Sequence, residues 1–133
     1  REMGELLYKE LSYKVQGAFF EVYKQLGNAH KEIVYQNALL EEFKNRNVNA
    51  DTQKRLGVYF KDKKVGTYIP DIVVENLVIV EIKSKPRIIP NDTQQFWHYL
   101  RNSEYKLGYL VNFGSNKRVE FIRRIYDTAR QKL

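Results

Sequence analysis

Residues 68–85 read YIPDIVVENLVIVEIKSK, and this stretch decides the fold because it encodes a β-hairpin. Two apolar, β-branched runs flank Glu75-Asn76, a pattern typical of strands joined by a tight turn. Three charged residues interrupt these runs: Asp71 where the first strand begins, and Glu81 and Lys83 near the end of the second. Burying a charge is costly unless it is paired or bound to a metal ion. The hairpin is therefore a candidate functional site.

The turn decides whether the three charged side chains share one face of the hairpin. Side chains alternate along a strand, so Glu81 and Lys83 lie on the same face whatever the turn. A two-residue loop would place Asp71 on the other face, opposite Val80. A three-residue loop over residues 74–76 would instead make Asp71 and Glu81 diagonal neighbours, about 7–8 Å apart.

The sequence favours the three-residue loop. Its third position needs a left-handed backbone, and Asn76 is among the few non-glycine residues that tolerate this conformation. Asp71 would then pair with Ile79, and the carboxylates at 71 and 81 would converge on one ion. An ordinary surface hairpin with a Glu-x-Lys salt bridge stays an open alternative.

The residues on this face suit a divalent metal ion that acts on a phosphate. The carboxylates of Asp71 and Glu81, with the carbonyl of Ile82, would form a minimal set of oxygen ligands for Mg²⁺ or Mn²⁺. Such an ion acidifies a bound water and neutralises charge on the scissile phosphate. Lys83 would orient that water or stabilise the charge that develops. It is a poor candidate for the base, because two neighbouring carboxylates keep its ammonium protonated.

Before the hairpin, the sequence predicts two helices. Apolar residues at helical spacing indicate a helix over 5–26. Gly27-Asn28 then breaks the pattern, and with Asn28 as N-cap a second helix is expected over 29–44. Glu32 lies on the inward face of this second helix, one turn before Tyr35. The predicted inward-facing apolar residues are Val15, Ala18, Phe19, Val22, Leu26, Tyr35, Leu39 and Phe43.

From Thr52 onward the pattern changes to strands. Three antiparallel strands are expected in QKRLGVYF, VGTYIPDIVV and LVIVEIKS, followed by a helix that Asn91-Asp92 caps and that ends near Asn102. KLGYLVNF predicts a buried strand, Gly114-Ser115-Asn116 a turn, and RVEFIRRI a last strand before a short basic helix. This order predicts an α+β fold, an α/β sandwich of helices on a mixed sheet, in a single domain over residues 1–133.

Composition restricts the classes of function. The chain has 23 Lys and Arg against 16 Asp and Glu, a net charge of +7 that favours a polyanionic partner such as nucleic acid. A lysine-rich solvated surface would give the same count. No apolar run approaches the roughly 18 residues of a membrane span, and no signal peptide is visible, so no membrane partner is expected. The absence of cysteine excludes disulfides and Cys-ligated zinc and suits a reducing cytoplasm.

The motifs resemble those of a known nuclease superfamily. The pattern PD-x9-E-I-K, from Pro70 to Lys83, is similar to the signature of the PD-(D/E)XK nuclease superfamily. Leu26-Gly27, EIVY at 32–35 and Ala38-Leu39 resemble the GxxExxY family within it. GTYIPDIVVENLVIVEIKS, DTQQFWHYL and LGYLVNFGS follow in that family's order and spacing. The glycine of the motif aligns with Ala29, which is a departure from the pattern.

The resemblance implies a restriction-endonuclease-like core and a role for individual residues. Asp71 and Glu81 would be metal ligands and Lys83 the catalytic lysine. Glu32, from the helix before the sheet, would be a further acidic ligand, directly or through water. A carboxylate on an otherwise apolar helical stripe agrees with this assignment.

Further residues are expected to surround the site. Gln95, with Tyr99 four residues on, matches a QxxxY pattern that many relatives carry beside the active site. The resemblance thus implies a catalytic role for Gln95 and contact of Tyr99 with nucleic acid. An amide that bridges groups within the core is the alternative for Gln95. Basic residues near strand ends would hold phosphates, although solvated side chains are the default for them. These residues are Lys85, Arg87, Lys117, Arg118, Arg123 and Arg124.

Together, the residues and the resemblance predict a Mg²⁺- or Mn²⁺-dependent nuclease that hydrolyses phosphodiester bonds, in DNA, with a metal-activated water. One alternative is a catalytically silent nucleic-acid- or protein-binding module on the same fold. Another is a regulatory or toxin-like domain that acts only inside a complex. So small a domain has no separate recognition unit, so specificity would come from a partner, substrate shape or a homodimer.

Overall fold

The computed structural model describes residues 2–126, with side chains from Tyr8 onward. The short basic helix predicted after the last strand lies outside the described residues. No helix within 2–126 is both long and apolar enough to cross a membrane. In chain order the elements are α1 (Glu2–Leu26), α2 (Glu32–Asn45), β1 (Ala50–Asp51), β2 (Leu56–Phe60), β3 (Lys63–Tyr68), β4 (Ile72–Val74), β5 (Val78–Lys83), α3 (Pro90–Arg101), β6 (Leu107–Asn112) and β7 (Glu120–Ile125).

A five-stranded mixed sheet forms the centre of the molecule, in the order β1-β4-β5-β6-β7. Strands β5 and β6 are parallel and α3 connects them, as a parallel pair requires, whereas the other neighbours are antiparallel. Among the described residues, strands β2 and β3 pair only with each other, as a separate two-stranded ribbon. The predicted α+β sandwich on a mixed sheet is confirmed.

Two hydrophobic cores cover the two faces of the sheet. On one face α1 and α2 pack against Val78, Val80 and Ile82 of β5. On the other face α3 packs against Ile79 of β5 and its neighbours. Full burial of each such side chain contributes about 1.5–3 kcal/mol. The alternation predicted for β5 is therefore observed, and it assigns Glu81 and Lys83 to the α3 face of the sheet.

The first two helices follow the predicted apolar stripes, but the second begins later than predicted. Asn28 is not its N-cap: α2 starts at Glu32, and Lys31 holds the N-cap position. The Tyr35 hydroxyl explains the delay, because it donates to the Gly27 carbonyl at 2.5 Å and accepts from the His30 N–H at 3.3 Å. These bonds hold residues 27–30 as a turn, and Gly27 supplies the positive φ of 69° that this turn needs.

The prediction of three antiparallel strands between the helices is wrong in one respect. The stretch VGTYIPDIVV is two strands, β3 and β4, that belong to different sheets. The break falls at Ile69-Pro70, where proline has no N–H to donate to a ladder and the chain leaves the ribbon for the main sheet. Strand β1, which pairs with β4, had no strong pattern of its own because it contains only two residues.

The third helix also starts at a different residue than predicted. Ile89 is the N-cap and Pro90 the first helical residue, so Asn91-Asp92 lies inside the first turn. Asp92 still caps the start of the helix, because its Oδ2 accepts a hydrogen bond from the Ile89 N–H at 3.0 Å. Every residue of β6 is buried, as the apolar run KLGYLVNF predicted.

Candidate active site

The β4–β5 hairpin pairs Asp71 with a different residue than predicted. Val74 pairs with Val78, and Ile72 with Val80. Continuing this ladder by one residue places Asp71 opposite Glu81, so the predicted pairing with Ile79 is wrong by two residues. A shift by two keeps every side chain on its face. The two carboxylates are therefore direct cross-strand neighbours on the α3 face.

The turn explains the shift. The Leu77 N–H donates to the Val74 carbonyl at 2.9 Å, and the loop comprises residues 75–77 instead of 74–76. Asn76 has the expected left-handed backbone, with φ of 54°, but Glu75 has one too, with φ of 52°. The sequence signalled only the first of these, because glutamate rarely adopts positive φ.

Backbone amides hold the two carboxylates in place where the ladder ends. The Asp71 N–H donates to Glu81 Oε1 at 3.0 Å, and the Ile82 N–H donates to Asp71 Oδ2 at 2.7 Å. Strand β4 begins only at Ile72, so these side chains replace the ladder bonds that another strand residue would make. The N–H and C=O of one strand residue point to the same edge, so the Ile82 carbonyl also faces the edge where Asp71 lies.

The electrostatics of the pair show an excess of negative charge. Burial and then the Asp71 charge raise the pKa of Glu81 to about 7, against the opposing effects of hydrogen bonding and Lys83. Burial also raises the pKa of Asp71, with a further contribution from Glu32, although the Ile82 hydrogen bond and Lys83 act in the opposite direction. The ammonium of Lys83 therefore does not compensate both carboxylates.

Tyr68 is a member of this site that sequence reasoning missed. Its hydroxyl is buried and lacks a hydrogen bond of good geometry within the described residues, although it lies beside Glu81. Burial, followed by the Glu81 charge, raises the pKa of this phenol. Its position three residues before Asp71, at the end of an apolar run, was the only available signal. Such a hydroxyl can donate to Glu81 or to a ligand or water at the site.

Gln95 and Tyr99 connect to the pair through Tyr68. The rings of Tyr68 and Tyr99 are stacked, with centroids 3.9 Å apart and an interplanar angle of 1°. Gln95 is exposed, and its Nε2 donates to the Tyr99 hydroxyl at 3.4 Å. The QxxxY pattern thus lies on the face of α3 that meets the carboxylates, and a catalytic role for Gln95 stays a prediction.

Glu32 lies near the pair without joining it in a cluster. It is exposed in the first turn of α2, and its charge contributes to the raised pKa of Asp71. The Ser84 hydroxyl donates to the His30 carbonyl at 2.6 Å, which ties the turn before α2 to the end of β5. Within residues 2–126, no group of three or more acidic, histidine or cysteine side chains is arranged to hold a metal ion. A role for Glu32 as a metal ligand, directly or through water, stays a prediction.

The predicted phosphate-binding residues differ in exposure and in whether another side chain already pairs with them. Lys85 forms an ion pair with Asp92, whose Oδ2 lies 2.8 Å from its Nζ, so its charge is already partly neutralised. Arg87 is exposed, as are Lys117 and Arg118 in the loop after β6. Because β5 and β6 are parallel, this loop lies at the same end of the sheet as Lys83. Of the two later arginines, Arg123 is half-buried and donates to Ser12, and Arg124 is exposed.

Asp92 and Asn112 are two further residues that the sequence did not single out. Both are buried and stand at the start of α3 and the end of β6. Burial alone would raise the Asp92 pKa, but hydrogen bonds from Ile89 and Lys85 and the charges of two lysines lower it below its usual range. Asn112 accepts from the Lys85 N–H at 3.0 Å and donates to the Lys85 carbonyl at 2.8 Å. Together they fix the segment that follows Lys83.

The donor atoms at the site fit a hard divalent cation. Two carboxylates and a strand carbonyl are oxygen ligands of the kind that Mg²⁺ and Mn²⁺ prefer, with water and substrate completing the shell. Burial is the main cause of the raised pKa of both Asp71 and Glu81, and a bound cation would stabilise their charged forms. Asp71, Glu81 and the Ile82 carbonyl would hold such an ion.

A comparison with protein families places the chain in a superfamily. A model of the PD-(D/E)XK nuclease superfamily matches residues 9–125, which is most of the chain. The chain therefore belongs to the PD-(D/E)XK nuclease superfamily, and its mixed sheet with flanking helices is consistent with the predicted restriction-endonuclease-like core. Members are mostly nucleases, which supports a nuclease-type function. No curated protein and no solved structure shows significant similarity to the chain.

Proposed function

We propose that this chain is a divalent-metal-dependent nuclease of the GxxExxY type that hydrolyses phosphodiester bonds in DNA, in the cytoplasm. The observation that carries the proposal is the cross-strand pair of Asp71 and Glu81, whose negative charge exceeds what Lys83 neutralises. Like charges directly opposite each other destabilise a sheet unless something compensates them. A bound Mg²⁺ or Mn²⁺ ion is the compensation that the donor atoms suit.

Each residue has a separate part in the proposed reaction. A metal ion at Asp71 and Glu81 would supply a water of lowered pKa and neutralise charge on the scissile phosphate. The Lys83 ammonium would donate to the phosphate oxygens as charge develops on them. The Tyr68 hydroxyl lies beside Glu81 and would hold a water in position. Gln95 is exposed at the rim and would contact the strand being cut.

Binding of the metal tests the first step of the proposal. Mg²⁺ or Mn²⁺ should raise the melting temperature of the wild-type protein, by mass action on the folded state. Asp71→Asn should abolish this rise, whereas Asp51→Asn, at an exposed carboxylate of β1, should retain it. Equal rises in wild type and Asp71→Asn would contradict the proposed ligand.

Cleavage tests the second step. Labelled duplex, flap, junction and single-stranded DNA, and RNA, are incubated with the protein and Mn²⁺, beside Lys83→Ala and Lys106→Ala. Lys106 is an exposed lysine at the start of β6, the opposite end of the sheet from Lys83. The proposal expects the wild type to cleave DNA. Lys83→Ala should lower the cleavage rate by about 100-fold or more, whereas Lys106→Ala should cleave like the wild type. DNA binding without metal uptake or cleavage would instead support the catalytically silent binding module.

A homodimer is part of the proposal, because cutting two strands needs two sites or a second binding event. Light scattering at increasing protein concentration, with and without a duplex, tests this point. A protein that stays monomeric while it makes double-strand breaks would contradict it.

A further inference from the structure

The β2–β3 ribbon, residues 56–68, is an arm that stands apart from the main sheet. Its two strands pair with each other and with no other strand of residues 2–126. Its base rests on α3 through the Tyr68–Tyr99 stack, next to a crevice of about 170 Å³ lined by residues of both elements. All of it beyond the base, residues 58–67, is exposed. The fold does not need this exposed ribbon to cover either core.

The arm exposes aromatic rings directly opposite lysines. Tyr59 pairs with Lys64, and Phe60 pairs with Lys63. Neighbouring side chains of one strand point to opposite faces, so each face of the arm carries one aromatic ring and one lysine. The residues Tyr59 and Phe60 are 65% and 62% exposed. Val58 and Val65 of the same ribbon are exposed as well, and a cluster of exposed apolar residues marks an interaction site.

The Tyr59 ring is held against the arm with its other side open. A Cβ atom on Gly57 would lie 2.7 Å from this ring, so the glycine makes room for the ring to fold back across the strand. A ring fixed in this way loses little conformational freedom when something stacks on it. Tyr59 is therefore a preformed stacking surface.

The charge of the arm identifies the partner. Arg55, Lys61, Lys63 and Lys64 are exposed, against a single acidic residue, Asp62, in the same stretch. Two copies of so basic an arm would repel each other, which disfavours self-association through it. A polyanion that also offers flat apolar rings satisfies both the lysines and the aromatic residues. Single-stranded nucleic acid does this, since its bases are unpaired and stack on aromatic side chains.

We propose that the arm binds an unpaired DNA strand and leads it to the cross-strand pair of Asp71 and Glu81. One strand wraps the tip of the arm. A base stacks on Tyr59 with Lys64 at its phosphate on one face, and a base stacks on Phe60 with Lys63 at its phosphate on the other. Five residues of β2 span about 17 Å, enough for about five nucleotides of one strand. The arm ends at Tyr68, three residues before Asp71, so a strand bound along it continues into the candidate active site. The choice of DNA rests on the proposed function.

Binding in the absence of metal tests the arm separately from cleavage. Fluorescence anisotropy in EDTA measures the affinity for a labelled oligothymidine of about 16 nucleotides, the upper end of site sizes for small single-strand-binding domains. Tyr59→Ala and Phe60→Ala should each weaken binding by about 5-fold or more. Tyr13→Ala is the matched control, since Tyr13 is 79% exposed on α1. A Tyr59→Phe variant keeps the ring and should bind like the wild type.

The lysines make a second, independent prediction. In the double variant Lys63→Ala/Lys64→Ala, the slope of log K against log salt concentration should become shallower by about 1.4, because two strand phosphates lose their partners. Tyr59→Ala should weaken binding without changing this slope. The double variant Lys9→Ala/Lys14→Ala removes two exposed lysines of α1 and should leave slope and affinity as they are.

Three results would overturn the inference. The first is that the aromatic variants bind oligothymidine as Tyr13→Ala does. The second is that a blunt duplex binds as tightly as the single strand. The third is that Tyr59→Ala converts a dimer to a monomer in light scattering. Failure of the proposed function looks different. Arm-dependent binding without cleavage in Mn²⁺ would refute the nuclease and retain the arm. If the arm variants cleave and bind DNA like the wild type, the inference about the arm is refuted and the proposed nuclease function is retained.

Discussion

Glu81→Gln should change the pH dependence of stability in a way that the site geometry dictates. Glu81 is half-buried opposite Asp71, and its pKa rises from an ordinary 4.5 to about 7 in the folded protein. Burial is the largest cause, and the Asp71 charge is the next. Glutamine has nearly the same shape and keeps the acceptor for the Asp71 N–H, but it has no proton to lose.

The magnitude follows from linkage. An acid whose folded pKa is raised stabilises the protein below its unfolded pKa and loses that contribution as pH rises through the folded pKa. For Glu81 the stabilising effect is present below pH 4.5 and is lost as pH rises to about 7. A pKa that rises from 4.5 to about 7 corresponds to about 3 kcal/mol in the free energy of unfolding.

Urea denaturation in EDTA, at a series of pH values across this window, measures the effect. The wild type should lose about 3 kcal/mol more than Glu81→Gln between the acidic and the alkaline end of the window. The variant should therefore be the more stable protein above neutral pH. Glu104→Gln, at an exposed glutamate, should follow the wild type. Parallel curves for the wild type and Glu81→Gln would refute the reasoning, since Glu81 would then titrate as an ordinary carboxyl.

The remaining predictions concern the frame that holds the site, and urea denaturation checks each of them. Gly114→Ala should cost about 1–3 kcal/mol, because its Cβ would lie 2.2 Å from the backbone nitrogen of Lys85, whereas Gly66→Ala, with 3.9 Å to its nearest neighbour, should cost less than half of that. Asn112→Leu leaves the Lys85 and Gly114 amides without their acceptor, and should destabilise the protein by about 2 kcal/mol or more. Asp92→Asn should destabilise the protein at neutral pH by about 1–3 kcal/mol, because it breaks the pair with Lys85. Because the Asp92 pKa is lowered, this difference should shrink as pH falls below about 4.

Much of the fold was predictable because periodicity reports burial. Tyr35, Leu39 and Phe43 recur every four residues, and all three are fully buried in α2. The run LGYLVN, apolar except for its last residue, is a strand buried along its whole length. What periodicity does not report is where an element begins. The hydroxyl of Tyr35 delays the start of α2, and nothing in the local sequence shows which carbonyl it binds.

The members of the site that were missed are polar groups whose partners lie far along the chain. Asn112 bonds to Lys85, 27 residues away, and Tyr68 lies beside Glu81. A single sequence shows neither contact, because each depends on how strands are ordered in the sheet. Asp71, Glu81 and Lys83 could be proposed from the sequence because they interrupt an apolar run, and an interruption is visible locally.

The even shift in the hairpin register explains why an incorrect turn still led to the correct face. Had the loop been one residue shorter or longer, Asp71 would face α1 and α2, away from Glu81. The observed register instead places the two carboxylates directly opposite each other. Without a bound cation, this arrangement is less favourable than the diagonal one that the sequence predicted. Because β4 begins only at Ile72, this register also leaves the Ile82 N–H free to donate to the Asp71 carboxylate. The backbone bonds thus hold two like-charged groups opposite each other, and a cation of the kind we propose would relieve the repulsion that remains.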